Sequence, residues 1–236
     1  MKKPPISRRT ALGLVAITVT GGVFLTARQF RRANPAIAAG QPLITGAGVC
    51  RIMPEVTEGP YYIDPKLVRA DITEARPGVS LDLRIQVVDA ACLPIPGARV
   101  DIWHCDAQGI YSGFPNQLGG TDTTGQTFLR GTQTGDDEGI AAFETIYPGW
   151  YPGRTPHIHF KAFPNVNEVL TGQLFFPDEL SKDIYSTVEA YGGRDLAGAT
   201  FNDRDGIARQ AGEAAHAQMN RSGEALSAAL VVAVGV

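Results

Sequence analysis

From Leu81 onward, apolar residues fall on every second position (Leu81, Leu83, Ile85, Val87). The run breaks at Leu93-Pro94-Ile95-Pro96-Gly97 and resumes at Val100 and Ile102. A period of two puts these side chains on one face, so the stretch reads as strand, turn, strand. Comparable runs occupy 128–133, 139–145, 155–163, 172–176 and 230–234, with Gly, Asp or Pro between most of them. Glycine (27) and proline (16) fill 43 of 236 positions, a density that supplies turns for short strands and works against a helical bundle. The expected fold is all-β, an antiparallel β-sandwich of immunoglobulin- or transthyretin-like topology. One helix is expected, with Asp178 as N-cap, running through Ile184 and Val188 to a stop at Gly192-Gly193.

Charge divides the chain unevenly. Residues 1–38 hold seven of the 21 basic residues and none of the 24 acidic ones, which leaves the remainder at a net charge of −10. So acidic a body does not suit nucleic acid, and no nucleic-acid partner is expected. The run Ser7-Arg8-Arg9-Thr10, an apolar stretch from Ala11 to Ala27 and the triplet Ala36-Ile37-Ala38 together read as a twin-arginine export signal, or, uncleaved, as a membrane anchor. The expected organisation is therefore a leader over 1–38, a Pro-rich N-terminal arm over 39–80 and one domain over 81–236. An exported location, periplasmic, secreted or membrane-anchored, permits one disulfide among Cys50, Cys92 and Cys105, and their spacing leaves the pairing open.

The chemistry concentrates at His157-Ile158-His159. On a strand both imidazoles project to one face, their Cα atoms about 7 Å apart, which suits two neighbouring ligands of one metal ion. Tyr147-Pro148-Gly149-Trp150-Tyr151-Pro152-Gly153-Arg154 leads into this strand and carries no Cys, Asp or Glu to complete a zinc set. Tyrosine is the abundant remaining donor. A phenolate is a hard anionic ligand, formed when a trivalent cation lowers the phenol pKa and displaces its proton, so the donor set favours Fe(III).

The stretch Asp101-Ile102-Trp103-His104-Cys105-Asp106 through Gly109-Ile110-Tyr111-Ser112, followed by Pro148-Gly149-Trp150-Tyr151 and Arg154-Thr155-Pro156-His157-Ile158-His159-Phe160, resembles the intradiol ring-cleavage dioxygenases. The resemblance covers most of residues 50–200. It implies a non-haem Fe(III) held by Tyr111 as equatorial tyrosine, Tyr151 as axial displaceable tyrosine, His157 and His159. It also implies catalytic roles for Arg154, Gln173 and Tyr151, and a substrate-closing arm at Thr57, Gly59, Pro60 and Tyr61. The implied reaction takes an aromatic vicinal diol and O2 to a muconate-type product, cleaving between the two hydroxylated carbons. Only five residues separate Tyr151 from His157, fewer than in the catechol and protocatechuate branches, so a more open pocket is expected; substrate identity and oligomeric state do not carry over.

Rival readings attach to several of these residues. Tyr147 follows Ile146 at a strand end and is expected to pack. His104 is expected to be structural, His216 exposed, and Cys105 a buried thiol or half of a disulfide. The hairpin around Val87-Val88-Asp89 and Pro94-Ile95-Pro96-Gly97-Ala98 also resembles transthyretin-like surface modules, which would make the protein an exported ligand-binding module without catalysis. A zinc hydrolase built on H-x-H lacks a third ligand and a placed base.

Overall fold

In the first strand, β1 (Ser80–Val88), Leu81, Leu83, Ile85 and Val87 are buried while Asp82 and Arg84 are exposed. The computed structural model describes Ile44 and residues 50–64, 66–223 and 225–235; the expected leader lies outside the described residues. The remaining strands are β2 (Arg99–Trp103), β3 (Arg130–Thr134), β4 (Ile140–Ile146), β5 (His157–Asn165), β6 (Glu168–Phe175), β7 (Gln218–Ser222) and β8 (Ala225–Ala233). They form two four-stranded sheets, ordered β4-β1-β8-β7 and β3-β2-β5-β6. One core cluster joins the sheets, drawing Leu83, Ile85, Phe143 and Leu230 from the first and Val100, Ile102, Ile158, Phe160 and Leu174 from the second. Burial of each such side chain contributes about 1.5–3 kcal/mol. Because Ile158 and Phe160 of β5 belong to that core, the alternation of the strand puts His157 and His159 on the opposite face of the second sheet.

The architecture amends the sequence expectation in three places. The pairing is not wholly antiparallel, since β1 and β8 run parallel with Leu83 opposite Ala228. The expected helix, α1 (Asp178–Thr187), has Pro177 rather than Asp178 at its N-cap, and its last turn closes at Thr187, short of Gly192. Asp178 instead accepts the Asn202 backbone N–H at 3.2 Å. A second helix, α2 (Gly206–Ala211), has Asp205 as its N-cap; at six residues it is too short to display a helical period.

Residues 50–64 and 66–79 lie along both sheets as an arm, touching them through isolated bridges at Ile52–Ala233, Val68–Thr132 and Asp71–Glu144. Cys50 pairs with Cys92 in a disulfide that fastens this arm to the turn after β1, and Cys105 is a buried free thiol.

Candidate metal centre

Trp103, His159 and Gln173 form one row across the second sheet, because Trp103 of β2 and Gln173 of β6 both stand opposite His159 of β5. Neighbours in such a row touch. The indole stacks on the His159 ring, centroids 4.9 Å apart and planes within 13°. Two loops and the arm cover the row. The first loop carries Tyr111, whose approach depends on Gly109: φ there is +82°, and a Cβ would meet the Trp150 carbonyl oxygen at 2.4 Å. Gln117 then clamps the Tyr111 backbone from both sides, its Oε1 accepting the Tyr111 N–H and its Nε2 donating to the Tyr111 carbonyl, each at 2.7 Å. The second loop turns tightly at Pro152-Gly153, with Gly153 at φ +83° and the Arg154 N–H returning to the Tyr151 carbonyl at 3.2 Å. This turn accounts for the short spacing from Tyr151 to His157.

These supports bring four polar atoms together. Tyr111 Oη lies 3.3 Å from Tyr151 Oη, 3.4 Å from His157 Nε2 and 3.1 Å from His159 Nε2. His157 Nε2 is 3.1 Å from both Tyr151 Oη and His159 Nε2. Separations of this size are those of a donor shell roughly 2 Å from a common centre. His157 Nδ1 is 2.6 Å from the Thr155 carbonyl, so it carries the ring hydrogen and leaves Nε2 with a bare lone pair facing the centre. Buried His159 Nδ1 has no hydrogen-bond partner among the described residues.

The electrostatics suit a cation. Burial holds the His157 imidazole down to about 3, and the Arg154 charge adds to the effect. Burial and the neighbouring His157 hold His159 well below its ordinary value. Both rings are therefore neutral at neutral pH and able to donate lone pairs. Burial pushes the Tyr151 phenol up to about 12 and Tyr111 well above its ordinary value, so neither ionises at neutral pH unless a positive charge sits beside it. Among the described residues no group of three or more His, Cys, Asp or Glu is arranged to hold a metal ion, and at this centre the two phenols complete the set. Two neutral imidazoles and two hard phenols fit a trivalent iron better than zinc.

The other residues singled out in the sequence divide. Arg154 donates through Nε to Asp205 at 2.8 Å and through a terminal nitrogen to Gln173 Oε1, and Gln173 Nε2 donates to the Thr57 carbonyl at 2.9 Å. Tyr61 stacks on Tyr111 with centroids 4.3 Å apart, and Gly59 packs against the edge of His159. Pro60 and the Thr57 side chain are exposed, and neither lines the pocket of about 400 Å3 that opens beside Tyr111, Tyr151, Tyr61, Gln117 and Leu118. Tyr147 packs in the core with its hydroxyl 2.6 Å from Ser181 Oγ. His104 is buried, Nε2 against Thr145 Oγ1 at 2.7 Å and Nδ1 against the Cys105 carbonyl at 2.8 Å. His216, expected to be exposed, is half-buried because its backbone bridges to Phe175 and its ring lies against the Phe175 ring.

A family model described as Dioxygenase matches residues 56–200, more than half of the chain. An intradiol ring-cleavage dioxygenase from Tetranychus urticae has a solved structure that is 36% identical, with a TM-score of 0.70, over 79% of this chain and 95% of that one. The chain belongs to the intradiol ring-cleavage dioxygenases. Among curated relatives of this dioxygenase, a catechol 1,2-dioxygenase of Pseudomonas sp. (strain EST1001) is 35% identical over 103 residues, 42% of this chain and 32% of the relative. The chain thus spans about a third of the length of the curated relatives it matches. A hydroxyquinol 1,2-dioxygenase from Pseudomonas putida DLL-E4, 18% identical with a TM-score of 0.57 over 79% of this chain and 68% of that one, shares the fold. Asp205 and Asn202 of this dioxygenase lie beyond the matched residues and reach the site only through tertiary contacts, Asn202 by accepting the Thr155 hydroxyl at 3.0 Å. No periodicity or motif marks either of them.

Proposed function

We propose that the protein holds a non-haem Fe(III) with Tyr111, Tyr151, His157 and His159 and cleaves an aromatic vicinal diol between its two hydroxylated carbons. Both atoms of O2 enter the product, a muconate-type diacid. The meeting of two phenol oxygens and two bare imidazole nitrogens carries this reading. The catechol 1,2-dioxygenase relatives support a catechol-like diol as substrate. When bound, ferric iron supplies the positive charge that ionises phenols and diol and draws electron density from the ring.

The rest falls to the chain. Tyr111 is fully buried, stacked beneath Tyr61 and clamped by Gln117, so it stays in place. Tyr151 is half-buried on the tight Pro152-Gly153 turn beside the pocket, so its ring can swing aside and its Oη can take up one of the diol protons. Arg154 presents a charge felt at all four donor groups, and it meets the negative charge that develops on the ring. Gln173 holds one end of that guanidinium and ties it to the arm at Thr57. Tyr61 and Gly59 cover the centre and limit access of water.

We read the two sheets as an immunoglobulin- or transthyretin-like sandwich over 81–236 preceded by an arm over 39–80. We further propose twin-arginine export led by residues 1–38, with the Cys50–Cys92 disulfide as support, since such bonds persist in oxidising compartments.

The test is the visible spectrum of the iron-reconstituted protein before and after anaerobic addition of catechol, in the wild type, Tyr111→Phe and Tyr151→Phe. A tyrosinate-to-iron charge-transfer band that shifts with the diol and weakens in each variant is the expected result. A protein that stays colourless with iron overturns the reading in favour of a non-catalytic binding module.

A further inference from the structure

The Asp205 carboxylate is 1% exposed and accepts four hydrogen bonds with its two oxygens. Oδ1 takes the backbone N–H groups of Ile207 and Ala208 at 2.8 and 3.3 Å, capping α2. Oδ2 takes Arg154 Nε at 2.8 Å and the Thr155 backbone N–H at 2.9 Å. Capping a helix needs one oxygen, which Ser or Asn supplies as well as Asp. The second oxygen is what calls for a carboxylate, and its two partners lie just before the strand that carries His157 and His159.

From there the contacts lead into the site by two routes. Along one, Asp205 grips Arg154 at Nε while Gln173 grips a terminal nitrogen, so two points fix the plane of a rigid guanidinium. Among the described residues the other terminal nitrogen makes no hydrogen bond, which leaves its N–H groups free. Along the other route, Thr155 is held at its N–H by Asp205 and at its hydroxyl by Asn202, and its carbonyl accepts the His157 Nδ1 hydrogen at 2.6 Å. Asn202 is anchored in turn, its side-chain amide donating to the Phe176 carbonyl at 2.8 Å.

We infer that Asp205 is a positioning residue of the reaction: it sets the plane of the Arg154 guanidinium from behind and steadies the Thr155 carbonyl that orients His157. The inference rests on the reading of Arg154 given under the proposed function. It extends the functional unit past the matched residues to the start of α2, whose cap and whose grip on Arg154 are the two ends of one side chain.

The experiment is a double-mutant cycle on the ferric holoprotein: wild type, Asp205→Ser, Arg154→Ala and the double variant. Asp205→Ser keeps an oxygen for the helix cap and releases Arg154; Asp205→Asn, with one acceptor oxygen in place of two, serves as a second variant if the serine protein does not fold. Each protein is measured for kcat and KM with catechol, for its anaerobic dissociation constant for 4-nitrocatechol by visible titration, and for its melting temperature. The expected result is a kcat lower by roughly ten- to hundredfold in Asp205→Ser, the scale of a misplaced catalytic group. A weaker 4-nitrocatechol complex should accompany it, and both changes should be clearly smaller in the Arg154→Ala background, where only the Thr155 route to His157 is left to lose. The same fold-loss in both backgrounds would show that Asp205 does not act through Arg154, and would overturn its positioning of the guanidinium while leaving Arg154 its function. Undiminished turnover in Arg154→Ala, or no diol cleaved by the wild type, would instead overturn the reading of the site and this inference with it.

Discussion

At the residue scale the molecule keeps three imidazoles buried and neutral, and stability should register this as pH falls. His104 is held to about 4, chiefly by burial, against roughly 6.5 for an unfolded histidine. Between those values the unfolded chain binds more protons, so the stability tied to neutral His104 is intact above about 6.5 and is lost as pH falls toward 4. Urea unfolding of the metal-free protein at several pH values between 7.5 and 4.5 should show this decline, and it should be shallower in His104→Gln; equal slopes in the two proteins would reject the account. Of the four donors of the candidate site, the two histidines are legible as H-x-H on a strand, and Tyr111 and Tyr151 only through the resemblance of their G-x-Y-S and P-G-x-Y motifs to the family. Asp205 is not. Its role comes from meeting Arg154 across 51 positions of chain, and neither composition nor period reports such a contact.

At the element scale the strands with one buried face announced themselves. β1 alternates strictly through Leu81, Leu83 and Ile85, and β4 does so through Ala141 and Phe143. β7 escaped notice because it is a polar strand, Gln218–Ser222, at the end of its sheet with little to bury. The parallel partnership of β1 and β8 escaped because alternation shows which face a strand buries and says nothing of direction. The Pro152-Gly153 turn bears most directly on activity. Its Gly153 sits at φ +83°, where a Cβ costs roughly 1–2 kcal/mol. Gly153→Val should lower the melting temperature and, by relaxing the turn, weaken the charge-transfer band expected of Tyr151, whereas Gly223→Val, also at positive φ but in the β7–β8 turn of the other sheet, should leave the band unchanged. A band unaltered in Gly153→Val would show that the turn does not place Tyr151.

At the scale of the whole molecule, the Cys50–Cys92 bond closes a loop 42 residues in sequence separation and holds the start of the arm against the first sheet. Chain entropy alone assigns such a crosslink about 4 kcal/mol. Cys50→Ser and Cys92→Ser should each lower the unfolding free energy by about 2–4 kcal/mol, a loss that reductant reproduces in the wild type and does not enlarge in either variant; denaturation curves that coincide with and without reductant would contradict this. The order of strands has a further consequence, for synthesis. β8 lies between β1 and β7, so the middle of the first sheet is filled by residues that leave the ribosome long after β1 has emerged. Until then β1 carries an open edge on the side away from its early partner β4, and that edge must be shielded from aggregation until nearly the whole of the chain described here has been made.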